Sequence, residues 1–218
     1  MTFAEVFLGS EKNQTELEKK IMSEEKFKEY YEEIGGIRNL KEEVTRYKKA
    51  SQFAQVPAGA KVLDIGCRDG ALRNYLGSGV QYYGIEIVKD YASEYVKIQD
   101  ISEGTNFEND FFDYVFCIEV LEHVRNPYFV LNEIKRVLKP GGFLILSVPN
   151  PYHFKEILWN IFNVPDKPGH VFSWTKQTFR KLIQFCNFKL VSMTGTYLVP
   201  GISWNGFCSR SFIYKLRK

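Results

Sequence analysis

The chain is expected to fold as a doubly wound α/β sheet, preceded by helices and closed by an antiparallel hairpin. Three observations predict this. From Lys61 to Val148, short apolar runs of strand length alternate with segments of helical period. The first run, Val62–Ile65, ends in the glycine turn Gly66-Cys67-Arg68-Asp69-Gly70. Two further β-rich runs, Lys189–Val199 and Gly206–Leu216, follow after a last helical stripe.

In chain order, Leu17, Ile21, Phe27 and Tyr30-Tyr31 recur with a loosely helical period across residues 11–50. Gly35-Gly36 interrupts them, and Asn39–Ala50 predicts a second helix. Residues 1–55 thus read as a helical extension that packs on the sheet with some lid role, the paired glycines being its hinge. Pro57-Ala58-Gly59 separates it from the main domain, 56–218. Strands are expected at Lys61–Ile65, Gln81–Ile87, Val96–Gln99, Asp113–Ile118 and Phe143–Val148. Helices are expected at about Gly70–Leu76 and Lys89–Glu94, and from Asn126-Pro127 to the stop signal Pro140-Gly141-Gly142. Five such strands with right-handed crossovers make a mostly parallel sheet, and the two terminal runs bring it to seven. Pro149–Gly169, rich in proline and aromatics, reads as the start of an insertion (149–175) on the ligand side. Thr175 caps a helix with the stripe Phe179, Leu182, Ile183 and Cys186.

Composition narrows the class. Hydrophobic residues make up 44% and charged residues 25% of 218, as in ordinary water-soluble domains. No apolar run is long enough to span a bilayer, and Met1–Lys20 has no apolar core of a signal peptide. Cys67, Cys117, Cys186 and Cys208 are far apart with no C-x-x-C pair, so neither a metal site nor a disulfide framework is expected, and a cytoplasmic location fits. Residues 151–218 carry ten Lys/Arg against two Asp/Glu, which suits an anionic substrate or membrane surface. There is no dense basic block, so nucleic acid is not the expected partner, while peripheral membrane contact stays open.

The turn at Gly66 carries the chemistry. A strand that ends in an acid and a glycine turn is where open α/β sheets bind nucleotide-like ligands. The spacing Gly66-x-x-x-Gly70 is not the dinucleotide pattern G-x-G-x-x-G, because Arg68 stands at its middle glycine. No Tyr-x-x-x-Lys pair stands at a suitable place either, which argues against a dinucleotide oxidoreductase. Four segments in order, Val62–Gly70, Gly84–Asp90, Asp113–Pro127 and Leu138–Pro149, resemble the class I S-adenosylmethionine-dependent methyltransferases, in the small-molecule branch similar to ubiquinone-biosynthesis enzymes. The resemblance covers about residues 55–150 well and implies a Rossmann-like seven-stranded sheet with S-adenosylmethionine as cofactor.

The resemblance also implies roles. Asp64 would hold the cofactor's ammonium group, or else cap the turn. Gly66, Cys67 and Gly70 would bring the backbone close to it. Glu86 would accept the ribose hydroxyls and Ile87 would pack on adenine. Asp100 would accept the adenine amino group beside Ile101. Cys117 and Ile118 would border the methionine part. Within Glu119-Val120-Leu121-Glu122-His123, Glu119 and His123 would face the reacting methyl. His123 is the leading general base, with His153 and His170 behind it, although packing is the alternative for each. Tyr152, Trp159 and Trp174 would wall the acceptor. The expected activity is methyl transfer to a small molecule (a lipid, quinone precursor or sugar-linked metabolite), with O-methylation favoured. The rival readings are a catalytically silent cofactor-binding subunit and an RNA or protein methyltransferase.

Overall fold

The computed structural model describes residues 40–162, 170–199, 202–203 and 205–218. The first expected helix, the Gly35-Gly36 hinge, Pro165, Pro168 and much of the Pro200–Asn205 linker lie outside the described residues.

Helix α1 (Leu40–Ala54) opens with Glu42 and Glu43 in its first turn, where acids complement the helix dipole. Glu43, Tyr47, Ala50 and Ala54 are buried and fall at helical spacing on one face. The helix outruns its expected end at Ala50 because Ala54 also packs into the core.

Seven strands form one sheet in the order β3-β2-β1-β4-β5-β9-β6. They are β1 (Lys61–Ile65), β2 (Gln81–Glu86), β3 (Val96–Ile98), β4 (Phe112–Ile118), β5 (Leu138–Pro149), β6 (Lys189–Gly195) and β9 (Ser211–Arg217). The first five pair in parallel, and β9 runs antiparallel between β5 and β6. A separate ribbon pairs β7 (Tyr197–Val199) with β8 (Ile202–Ser203). The expected long run Lys189–Val199 therefore breaks at Thr196. That residue is buried, and its hydroxyl bonds to both main-chain groups of Ser211, which ends the ladder.

The expected helices at Gly70–Leu76 and Lys89–Glu94 are single 3-10 turns, Ala71–Tyr75 and Lys89–Tyr91. Each is too short to offset the cost of nucleating an α-helix. No α-helix dipole stands behind the glycine turn as a result. Strand β5 starts at Leu138 rather than Phe143, and a register shift against β4 absorbs Pro140-Gly141-Gly142.

Helix α2 (Pro127–Val137) starts as expected: Pro127 takes the first turn, and the Asn126 side chain accepts from Phe129 N. With α4 (Lys176–Phe185) it covers one sheet face, where Val115, Cys117, Leu144, Leu146 and Tyr214 meet Val130, Ile134, Phe179 and Ile183. The other face, through Val62, Phe116, Ile145 and Ile213, packs on Tyr47, Ala50 and Ala54. Alternate residues of β4 serve opposite faces, as a strand covered on both sides requires. Helix α3 (Phe154–Ile161) buries no residue, and Ile157, Leu158 and Ile161 are exposed.

Candidate functional site

Strand order reverses between β1 and β4, so a crevice opens outside their carboxyl ends. Ile65 pairs with Ile85 on one side and Cys117 on the other, which aligns the three strand ends. Asp64, Gly66, Glu86 and Cys117 are thereby brought to one rim, and Asp100 follows the neighbouring end of β3.

Asp64 is 1% exposed and accepts one hydrogen bond, from Tyr82 Oη at 2.7 Å. Burial, helped by the nearby Glu86 and Glu43 charges, raises its pKa to about 7 against the pull of Tyr82. Tyr82 reaches it because Gly84, the ladder neighbour of Asp64, has no side chain. A Cβ at Gly84 would lie 2.6 Å from Cys67 Sγ.

Glu86 is the anchor of the turn. Its Oε1 accepts from Ile87 N at 2.7 Å and Val88 N at 3.2 Å, and its Oε2 accepts from Arg68 N at 2.8 Å. A carboxylate has about four acceptor sites, so the three bonds leave Oε2 one in reserve. Gly66 (φ 67°) and Gly70 (φ 73°) are both left-handed, and a Cβ on Gly66 would meet Val120 Cγ2 at 2.4 Å. Arg68 is left-handed as well, at φ 50°. The arginine at the turn's centre thus keeps the backbone that a glycine adopts without strain.

Ile87 is half-buried beside this turn. Asp100 caps the next turn by accepting from Ser102 N at 2.8 Å, and Ile101 is buried. Cys67 and Cys117 are fully buried, and burial drives both thiols far up, so neither is a nucleophile. Ile118 is buried at the end of β4.

Beyond β4 the expectation for Glu119 fails. Its Oε2 accepts from Arg46 Nη1 and from Ser211 Oγ, both at 3.0 Å, and its Oε1 accepts from Ser147 Oγ at 2.8 Å. Burial pushes its carboxyl up, but Arg46 and the two serines outweigh it and hold the group below the usual range. Glu119 is tied into the scaffold, with a left-handed backbone at φ 55°.

Of the three histidines, two come together. The rings of His123 and His170 are 5.0 Å apart at 62°. His123 Nε2 also lies 4.0 Å from Glu122 Oε1. His153 is not brought to them. Its ring is buried, Nε2 meets Leu198 O at 3.0 Å and Nδ1 accepts from Lys155 N, so it caps α3 as a packing residue. Tyr152 stacks on Phe207, and Trp174 stacks on Phe172 against the core, while Trp159 is half-buried.

Sequence reasoning missed Tyr82, Arg46, Ser147 and Ser211. Only Tyr82 had a signal: it stands two residues before a glycine inside a strand, which marks a close approach. A cleft of about 490 Å³ lies at the opposite rim, among Pro57, Asp113, Lys139 and Gly142. It is at the amino ends of the strands, away from the residues above.

Comparison with known proteins agrees with this fold. The family described as "Methyltransferase domain" matches residues 37–193. The chain belongs to the class I S-adenosylmethionine-dependent methyltransferases. It is 34% identical over 145 residues to an uncharacterized protein of Methanocaldococcus jannaschii, covering 65% of this chain and 60% of that one. It is 36% identical over 110 residues to the ubiquinone biosynthesis O-methyltransferase of Xanthomonas oryzae, covering 43% and 44%. The match thus spans less than two thirds of the length of either relative. In fold it is similar to a SAM dependent methyltransferase from Archaeoglobus fulgidus, with a TM-score of 0.65 at 17% identity over 87% of this chain and 99% of that one. The family cofactor is S-adenosylmethionine. The residues at the crevice fit it: a buried carboxylate with one hydrogen bond suits a cationic group, and Glu86 keeps an acceptor site for a hydroxyl.

Proposed function

We propose that this protein transfers a methyl group from S-adenosylmethionine to an oxygen of a small molecule with an apolar part. The observation that carries the reading is the convergence of Asp64, Gly66 and Glu86 at adjoining strand ends beside the topological switch point. The cofactor, when bound, supplies an electrophilic methyl group on a sulfonium.

The chain's own residues do the rest. Asp64 offers a buried carboxylate to the ammonium group, and the charge pair draws its proton off. Glu86 accepts a ribose hydroxyl while its three main-chain bonds keep it still. Gly66, Cys67 and Gly70 present main chain without side-chain bulk. Ile87 and Ile101 flank the adenine, Asp100 accepts from it, and Cys117 and Ile118 wall the methionine end. His123, half-buried, takes the proton of the acceptor hydroxyl, with His170 beside it. An in-line approach in a dry crevice needs no covalent intermediate.

The acceptor class rests on the ubiquinone O-methyltransferase relatives and on α3. That helix leaves the carboxyl end of β5 with its apolar side chains exposed, a surface suited to a ring or an alkyl chain. Calorimetric titration with S-adenosylmethionine, S-adenosylhomocysteine and NAD tests the reading. Binding of the first two but not NAD, lost in Glu86→Ala, is expected. Binding of NAD alone overturns it.

A further inference from the structure

We propose that Glu122, His123 and His170 form a binding site for one divalent transition-metal cation. No metal is expected from the sequence, because its cysteines are scattered and His170 lies far from Glu122 in the chain. The fold brings the three together. Each offers one ligand atom, a carboxylate oxygen or a ring nitrogen, and the three atoms lie within 4.8 Å of one another.

The arrangement is built by the main chain. Glu122 O accepts from Val171 N at 2.8 Å and from Phe172 N at 3.2 Å. These two bonds fasten the segment carrying His170 onto the turn carrying Glu122 and His123. A cation held at about 2.1 Å draws its ligands to roughly 3.4 Å from one another, a change that side-chain torsions supply. The Glu122 side chain is 1% exposed, so a positive charge beside it acts in a low dielectric. Glu119 stands at a similar place in sequence but is no ligand, since Arg46, Ser147 and Ser211 take its oxygens.

Two imidazoles and one carboxylate select zinc, manganese or iron over magnesium or calcium. Three protein ligands leave coordination positions open, and the site adjoins the carboxyl end of β4. With the cation bound, His123 serves as a ligand in place of the base role proposed above, and the open positions suit the hydroxyl oxygen of an acceptor, whose proton the cation's charge loosens. The inference does not depend on the proposed methyl transfer, because cation binding is measured on the chain alone.

The full chain, stripped with chelator and dialysed, is titrated with Mn²⁺ while the free-ion electron paramagnetic resonance signal is followed. One Mn²⁺ per chain, displaced by Zn²⁺, is expected. His123→Ala and His170→Ala should each weaken binding at least about tenfold. His170→Gln serves if the alanine variant loses its far-UV circular dichroism. S-adenosylhomocysteine binding, measured on the same sample, separates a failure of the cofactor reading from a failure of this one. No stoichiometric Mn²⁺ binding, or equal binding by the His170 variant, overturns the proposal.

Discussion

Asp64 and Glu119 are two acids at the ends of the adjacent strands β1 and β4, both withdrawn from solvent, and they are opposites. Asp64 has Tyr82 for its hydrogen bond and a pKa raised to about 7. Glu119 has a guanidinium and two hydroxyls, and its pKa is lowered. Burial acts upward on both, so partners decide the outcome. The β1 side of the crevice keeps a buried carboxylate bonded to Tyr82, which the proposed function pairs with a cationic ligand. The β4 side uses its acid to fasten α1 to the sheet.

The largest expected effect breaks the β4 side. Arg46→Met leaves Glu119, its side chain only 15% exposed, without its cation and should cost about 3 kcal/mol, read from the urea midpoint. On the β1 side, Glu86→Ala removes the acceptor of three main-chain N–H groups. It should cost about 2 kcal/mol and abolish S-adenosylhomocysteine binding in calorimetry.

The pH dependences of the two acids have opposite signs. The folded pKa of Asp64 lies above its unfolded value of 3.8. Its contribution to stability is full below pH 4 and declines as pH rises through about 7. Asp64→Asn should therefore stabilise the ligand-free protein at pH 8 by ~2 kcal/mol, seen as a higher Tm. Glu119 behaves conversely: its contribution is present above its unfolded value of 4.5 and is lost as pH falls through the folded value. Glu119→Gln should flatten that acid limb. The smallest effect is at the turn itself. Arg68→Gly relieves a left-handed arginine and should raise stability by about 1 kcal/mol or less in the same urea series.

Legibility in the sequence divides along the same line. β1, β2 and β4 carry strong local signals: continuous apolar runs, a glycine turn and an acid at a strand end. Their placement, and that of Asp64, Gly66 and Glu86, follows from the pattern. The 3-10 turns after Gly70 and Val88 were misread because apolar period alone does not tell an aborted helix from a full one. Glu119 was misread, and Arg46 and Ser211 were missed, because their bonds join α1, β4, β5 and β9 across the fold. Such long-range pairings leave no periodic trace. His153 shows the same limit: nothing local distinguishes a helix-capping histidine from one beside a crevice.

The most direct test of the account is the proton count on binding S-adenosylhomocysteine at pH 6, from calorimetric enthalpies in buffers of different ionisation heat. On the proposed reading Asp64, its pKa raised to about 7 by burial, holds a proton at that pH in the free protein and gives it up on facing the ammonium group. The account predicts close to one proton released by the wild type and none by Asp64→Asn, with weaker binding. Equal enthalpies in all buffers, or unchanged affinity in the variant, would contradict it.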